Sequence, residues 1–266
     1  NRVGLVRRDQ PVFCDEVILK VGDALALVVA DTREHAEMAL ESITVKYTPL
    51  PVVTDPRNAL LPDAPPLHEP FHEGQHANML EHTKIRKGDV GNGFAESSLI
   101  IEEDYFTPYQ EHACEELECS IALPDGDGVT IYCGSQGPSF DRDQVSEVLN
   151  LPEEKVRIAS LPVGGGFGGK EDLHSQAFAA IAAYRLGKPV NVQFSRAESL
   201  CATHKRHPMY IHYKTGVSAD GLLTAVEVTV HGDTGAYASS DIPVLFRAAT
   251  FAGGPYIIPH AKVDTY

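Results

Sequence analysis

Residues 164–171 read GGGFGGKE, five glycines in six positions followed by a lysine and a glutamate. Bare backbone amides in such a run approach oxygen-rich groups closely, and two known sequence patterns use them to hold phosphates. Gly164-x-Gly166-x-x-Gly169 fits the dinucleotide fingerprint, and the same residues through Lys170 fit a P-loop up to its last position. Each fit fails where chemistry is required. A P-loop needs a Ser or Thr hydroxyl after its lysine to ligate Mg²⁺, and Glu171 sets a carboxylate there instead. A dinucleotide fold needs an acidic residue about 20 residues on; here "VNVQFSR" supplies Gln193 and Ser195, and Glu198 lies too far along. What both patterns share survives: side-chain-free amides entering a helix, suited to an anion, with Phe167 placed to pack on something and Glu171 at the edge. Two plainer readings stand beside it. The glycines can serve only to pack a strand on a helix, and Glu171 can be a helix N-terminal acid worth about 0.3–1 kcal/mol.

The elements that must position this loop are legible on both sides of it. The run Val156 to Leu161 alternates as a strand and leads in, and "DLHSQAFAAIAAYRLG" reads as an Ala-rich helix ended by Gly187 and Pro189. Upstream, "ECSIALPDGDGVTIYCGSQ" predicts a hairpin turning on Asp125 to Gly128, then a helix to about Leu149 capped by Ser139 or Asp141. "SSLIIEEDYFTP" predicts a long strand, "VNVQF" another, and the run from His207 to Asp233 a hairpin turning on Asp220-Gly221 with Val226, Val228 and Val230 on one face. The first fifty residues read β-β-α-β: strands "DEVILKVG" and "DALALVVAD" around Gly22, a helix capped by Thr32, and a returning strand "ITVKYTPLP". Interleaved helices and hairpins predict an α+β fold rather than a doubly wound parallel sheet.

At 266 residues and 43% hydrophobic, the chain has enough material for one large domain or two smaller ones. A net charge of -15, from 22 Lys+Arg against 37 Asp+Glu, repels nucleic acid and anionic lipid alike. No apolar run reaches the roughly 18 residues that span a bilayer, and "NRVGLVRRDQ" has no secretory h-region, so a cytoplasmic location without membrane attachment is expected. A start at Asn1 and a stop at Tyr266 within a strand-like run are read as the ends of an excised piece.

Two further groups of residue types invite chemistry. His68, His72, His76 and His82 lie in and just after a Pro-rich stretch read as an extended linker, whose prolines oppose the helix their spacing would need to gather a metal. Cys14, Cys114, Cys119, Cys133 and Cys201 are odd in number and contain no CxxC pair, so they are read as idle thiols rather than disulfides, zinc or iron–sulfur ligands.

The loop in its setting resembles a family. "GGGFGGKE", preceded by "YCGSQGPSFDRDQVSEVLNLPEEKVRI" and followed by "AYRLGKPVNVQFSRAES", "RHPM" and "DTGAYAS", is similar to the molybdenum-binding subunit of the xanthine dehydrogenase and aldehyde oxidase family. The amino-terminal "DQPVFCDEVILKVGDALALVVADTREHAEMALESITVKYTPLPVVTDPRNAL" is similar to that family's small α/β hammerhead domain. The resemblance implies an α+β chain truncated at both ends. Residues 1–58 would be the C-terminal part of the hammerhead domain, 59–82 a Pro/His-rich linker, and 83–266 an incomplete first molybdopterin-binding domain.

It further implies that Gln136 hydrogen-bonds an oxo ligand of molybdenum and that Gly165, Gly166, Phe167, Gly168 and Gly169 lie against a molybdenum-pterin. Glu171 would bind and polarise a heterocyclic substrate. No side chain of this segment would ligate the metal directly. Gln136 can also be read as a cap of the following helix. The implied reaction is oxidative hydroxylation of an N-heterocycle with water as the oxygen source, an aldehyde or aromatic acyl thioester substrate also being open; its base, in a "GVGE"-like loop, and an "FRGFG" motif are expected outside this chain, which alone would be inactive. Iron–sulfur and FAD groups would sit on partner subunits of an oligomeric enzyme. "HACEELE" at 112–118 departs from the family's aromatic and Leu at Cys114 and Glu115, putting local packing there in question. A non-catalytic phosphate- or nucleotide-binding module, or a structural subunit in which the glycines only pack, are the competing readings.

Overall fold

The computed structural model describes residues 2–266. In chain order they form β1 (Arg2–Val3), β2 (Gln10–Pro11), α1 (Arg33–Leu40), α2 (Pro56–Ala59), β3 (Thr83–Lys87), α3 (Val90–Ala95), β4 (Leu99–Thr107), β5 (Cys119–Asp125) and β6 (Gly128–Cys133). Then come α4 (Pro138–Leu149), β7 (Val156–Ser160), α5 (Ser175–Leu186), β8 (Val190–Gln193), α6 (Arg196–Ala202), β9 (Met209–Val217), β10 (Leu223–Gly232), α7 (Asp241–Phe251) and β11 (His260–Thr265). The chain makes two compact units, and neither is continuous in sequence. One holds residues 1–50 and 111–205, the other 51–110 and 206–266. The expected α+β class is the one observed.

The first unit is built on a four-stranded sheet in the order β7-β6-β5-β8. β6 and β7 run parallel, with Ile131 opposite Ile158, and the β5–β6 hairpin turns through Gly126 at φ +59° as its Asp-Gly sequence requires. α5 lies against β5 because its inner face is almost all alanine. Ala179, Ala180 and Ala183 are fully buried, and the Ser175 and Ser120 hydroxyls meet at 2.8 Å. Val129, Ile131, Val145 and Val156 complete this core, joined by Val3 of β1 and by Val12, which follows β2. Gly187 ends α5 in the left-handed conformation, where a glycine carries no Cβ penalty.

The second unit is a five-stranded sheet in the order β3-β11-β10-β9-β4. Val226, Val228 and Val230 share the buried face of β10, as their alternation predicts, and the β9–β10 hairpin turns at Gly221 with φ +80°. Residues of the Pro-rich stretch pack here. Leu80 and Phe71 join Leu245 and Ala238, and the Asn78 side chain bonds the Ala59 carbonyl, the Pro65 carbonyl and the Leu67 amide. The histidines go to separate partners: His68 to the Ala236 carbonyl at 2.6 Å, His72 to Glu81 at 3.7 Å, His76 to the Leu61 carbonyl at 3.0 Å and His82 to Asp264 at 2.9 Å.

Three local expectations are corrected. Of the predicted β-β-α-β opening only the helix forms, since residues 16–31 and 43–52 find no ladder partner among the described residues and leave Val17, Val21, Val29, Tyr47 and Val52 exposed. Apolar alternation supplies a strand's face but not its neighbour. α4 starts at Pro138 behind Gly137 rather than at Ser139 or Asp141, because proline's fixed φ suits the first helical position. α5 starts at Ser175, so the glycine run does not open the helix directly and Glu171 is not in its first turn.

Candidate functional site

β6 and β7 are parallel neighbours, and the Leu161 amide continues their pairing onto the Cys133 carbonyl at 2.9 Å. The loops that leave their carboxyl ends therefore start side by side, where open α/β sheets place their ligands. One loop carries Gln136, and the other is the glycine run. A third segment, residues 111–118, passes beside both through His112, Cys114 and Glu116.

Gln136 ties the two loops together. Its amide donates to the Lys170 carbonyl at 3.0 Å, and its side-chain Oε1 accepts from the amides of Gly168 and Lys170, both at 3.1 Å. Two N–H donors can only face an oxygen, so the side chain's orientation is settled by its partners and the Nε2 group is turned away with both protons unused among the described residues. Gln136 itself is exposed. This geometry does not resemble a helix cap, since the N-cap of α4 is Gly137. Gly166 is buried against it, where an added Cβ would stand 2.7 Å from Gln136 Cδ.

The glycine run is curled by positive φ at Gly165 (+101°), Phe167 (+53°) and Gly168 (+93°). Left-handed backbone is cheap for glycine and costly for phenylalanine, so the one non-glycine residue of the curl carries backbone strain. The Gly169 amide bonds the Gly166 carbonyl at 2.7 Å, which also accepts from the Cys114 thiol at 3.4 Å. Amides 165, 166 and 167 have no acceptor among the described residues. Three consecutive N–H groups left without a protein acceptor favour an anion. Phe167 is 76% exposed, with its ring edge near Gly165. Glu171 is exposed beside the loop and makes no ion pair or hydrogen bond among the described residues.

Lys170 decides between the phosphate patterns. Its side chain is 4% exposed and its ammonium lies 2.9 Å from Glu116 Oε2. A lysine buried and neutralised in this way cannot reach a nucleotide's phosphates as a P-loop lysine does. The departure at "HACEELE" is thereby located: Cys114 is buried under the loop, Glu115 is exposed, and Glu116 is the loop's partner.

Beneath the loop lies a buried polar chain. The carboxylate of Asp141, fully buried in α4, accepts from Gln176 Nε2 at 3.2 Å; Gln176 Oε1 accepts from the His174 amide at 2.9 Å; and His174 Nε2 is 3.2 Å from the Gly169 carbonyl. Burial pushes the Asp141 carboxyl up to about 6, against the pull of hydrogen bonds from Ser135 and Gln176. Burial, and then the neighbouring His204, push the His174 imidazole well below its ordinary value, so it is neutral. Sequence reading missed Glu116, Asp141, His174 and Gln176 as parts of the site. The one available signal was the combination of a lysine closing the glycine run with no hydroxyl after it.

The donor set fits an anionic, oxygen-bearing group: three open amides, a primary amide with both protons free, and no uncompensated cation. Comparison with known proteins points the same way. The molybdopterin cofactor-binding domain family matches residues 71–266, and the aldehyde oxidase and xanthine dehydrogenase a/b hammerhead domain matches residues 1–51. A probable xanthine dehydrogenase subunit of Bacillus subtilis is 43% identical across 99% of this chain and 35% of its own length. The nicotinate dehydrogenase large molybdopterin subunit of Eubacterium barkeri is 39% identical across 99% of this chain and 61% of its own. The aldehyde oxidoreductase of Desulfovibrio gigas superposes with a TM-score of 0.89 at 29% identity, over 97% of this chain and 28% of that one. The chain therefore spans between about a third and three fifths of the length of these two curated relatives.

Proposed function

The chain belongs to the xanthine dehydrogenase and aldehyde oxidase family and carries its molybdopterin cofactor-binding domain, and from that premise we propose that it is the cofactor-holding segment of an oxidoreductase that hydroxylates an N-heterocycle. The observation that carries this reading is the Gln136 side chain, locked by two backbone donors so that its free Nε2 protons face outward beside three open amides. Gln136 would donate to an oxygen on the metal, and residues 165–169 would seat the dithiolene-pterin. When bound, the group supplies the two-electron oxidation and the site at which oxygen from water enters the product.

The remaining steps belong to side chains of this chain. Glu171, solvent-facing and without a hydrogen-bond or ion-pair partner among the described residues, would accept from or share a proton with a ring nitrogen and so hold the heterocycle beside the loop. The neutral Lys170–Glu116 pair leaves the open amides as the anion-attracting groups. Substrates of xanthine type, the compound in one relative's name, suit a carboxylate that recognises a ring N–H. The reading also assigns residues 1–58 to the hammerhead domain, 59–82 to a linker and 83–266 to the cofactor domain. The rest of the molybdenum subunit, with iron–sulfur and FAD-bearing partners, completes a cytoplasmic oligomer. Relatives named as subunits support partner chains in general, and no helix among the described residues is long and apolar enough to cross a membrane.

The test is the full-length protein purified with its partners from a cofactor-competent host, assayed for molybdenum, pterin and turnover of nicotinate, hypoxanthine and a simple aldehyde. Molybdenum and pterin in stoichiometric amount, with an N-heterocycle preferred and E171Q lowering kcat/KM for it by about 10- to 100-fold, are expected. A preparation free of both metal and pterin would sink the assignment.

A further inference from the structure

One carboxylate holds both ends of the glycine run. Glu116 Oε2 accepts from the Gly164 amide and lies 2.9 Å from the Lys170 ammonium, while the Glu116 backbone N–H donates to the Gly164 carbonyl at 3.2 Å. Gly164 opens the run and Lys170 closes it, so the residues between them form a loop tied at its base by a single side chain.

Two glycines leave room for this side chain. A Cβ at Gly164 would stand 2.8 Å from Glu116 Cβ, and one at Gly134, on the Gln136-bearing loop, 2.6 Å from Glu116 Oε1. Burial raises the Glu116 pKa, but the Lys170 hydrogen bond, the Gly164 amide and the Lys170 charge together bring it below the ordinary value, so the ionised form is the one held.

We propose that Glu116 is a positioning residue for cofactor binding: by tying Gly164 to Lys170 it fixes the curl that leaves amides 165–167 open, and it removes the lysine's charge from the anion's reach. This rests on the molybdopterin reading above. The lysine after the glycines then acts through the loop's shape rather than by attracting the ligand. Two opposite predictions separate these roles. If Lys170 attracts the anion, removing Glu116 frees a cation and strengthens retention. If Glu116 sets the shape, removing it opens the loop and weakens retention, and a neutral pair of similar size restores it, because a glutamine oxygen still accepts the Gly164 amide while the backbone of residue 170 stays bonded to Gln136.

The experiment uses the full-length enzyme with its partners, scored for molybdenum and pterin per subunit after gel filtration and for its Mo(V) electron paramagnetic resonance spectrum. E116A is expected to retain at least tenfold less pterin than wild type and to show a shifted spectrum in what remains. E116Q/K170M is expected to retain pterin within about threefold of wild type with the wild-type spectrum. Retention by E116A equal to or above wild type overturns the proposal, as does a folded E116Q/K170M that loses pterin as E116A does. If E116A fails to fold, the double variant decides alone: cofactor retained with the wild-type spectrum supports the positioning role, cofactor lost overturns it. Wild-type enzyme without pterin would instead sink the molybdopterin reading itself, so the two failures are told apart by the unmutated protein.

Discussion

The replacement D141N removes the most deeply buried charge under the loop, and its effect can be worked from the structure. Asp141 is fully buried and its carboxyl is raised from 3.8 to about 6. A carboxyl whose folded pKa is raised contributes stability that is fully present below the unfolded value and lost as pH climbs through the folded one. Two units at 1.36 kcal/mol each give about 3 kcal/mol lost between about pH 4 and pH 7. His174 has the opposite sign, since its folded pKa is depressed by burial and His204; its contribution is present at neutral pH and lost as pH falls below 6.5. In the wild-type protein the two slopes oppose each other over the same window, so its stability is flatter with pH than either group alone would make it. Asparagine keeps an oxygen to accept from Gln176 and removes only the titration. Guanidinium unfolding of wild type and D141N from pH 4 to pH 8 should therefore give a difference curve that rises in the variant's favour by about 3 kcal/mol across this window. The variant's own stability should climb with pH as the histidine's slope is unmasked. A difference that stays flat within about 0.5 kcal/mol, or falls with pH, refutes the reasoning.

Three other outcomes follow. Q136E keeps an acceptor for the Gly168 and Lys170 amides but has no proton to offer outward; kcat per bound pterin should fall by about 10²–10³-fold, as steady-state kinetics normalised to pterin analysis would register. G166A drives a Cβ to 2.7 Å from Gln136 Cδ and should displace that side chain, lowering molybdenum content and activity together in metal analysis of the purified enzyme. G128A, far from the loop, meets the Lys155 carbonyl carbon at 2.8 Å, a backbone neighbour that cannot swing aside; it should destabilise the protein by about 1–3 kcal/mol in denaturant unfolding without changing pterin stoichiometry.

Local signals carried much of this reading. β4, the β9–β10 hairpin, α5 with its alanine face and the turn at Gly126 were all written in short-range patterns, and so were Gln136 and the glycine run as candidates. What escaped was set by distant partners. Glu116 lies 48 residues before Gly164, and no spacing rule links a carboxylate to a loop it reaches only after the sheet has formed. Asp141 reads as a helix-start acid until α5 closes over it and Gln176 turns its amide inward. The extended runs at 16–31 and 43–52 fail for the complementary reason: their apolar alternation describes a face, while a strand also needs a hydrogen-bonding neighbour, which those runs lack among the described residues.

The interleaving of the two units has a consequence for how the protein is made. Residues 1–50 complete their unit only with residues 111–205, which the ribosome delivers after the whole intervening stretch has emerged. At about 5–20 residues per second that delay is on the order of ten seconds or more. Throughout it the emerging segment 1–50 has Val3 and Val12 still lacking their burial partners, and codon changes that slow synthesis across 51–110 should lengthen that exposure.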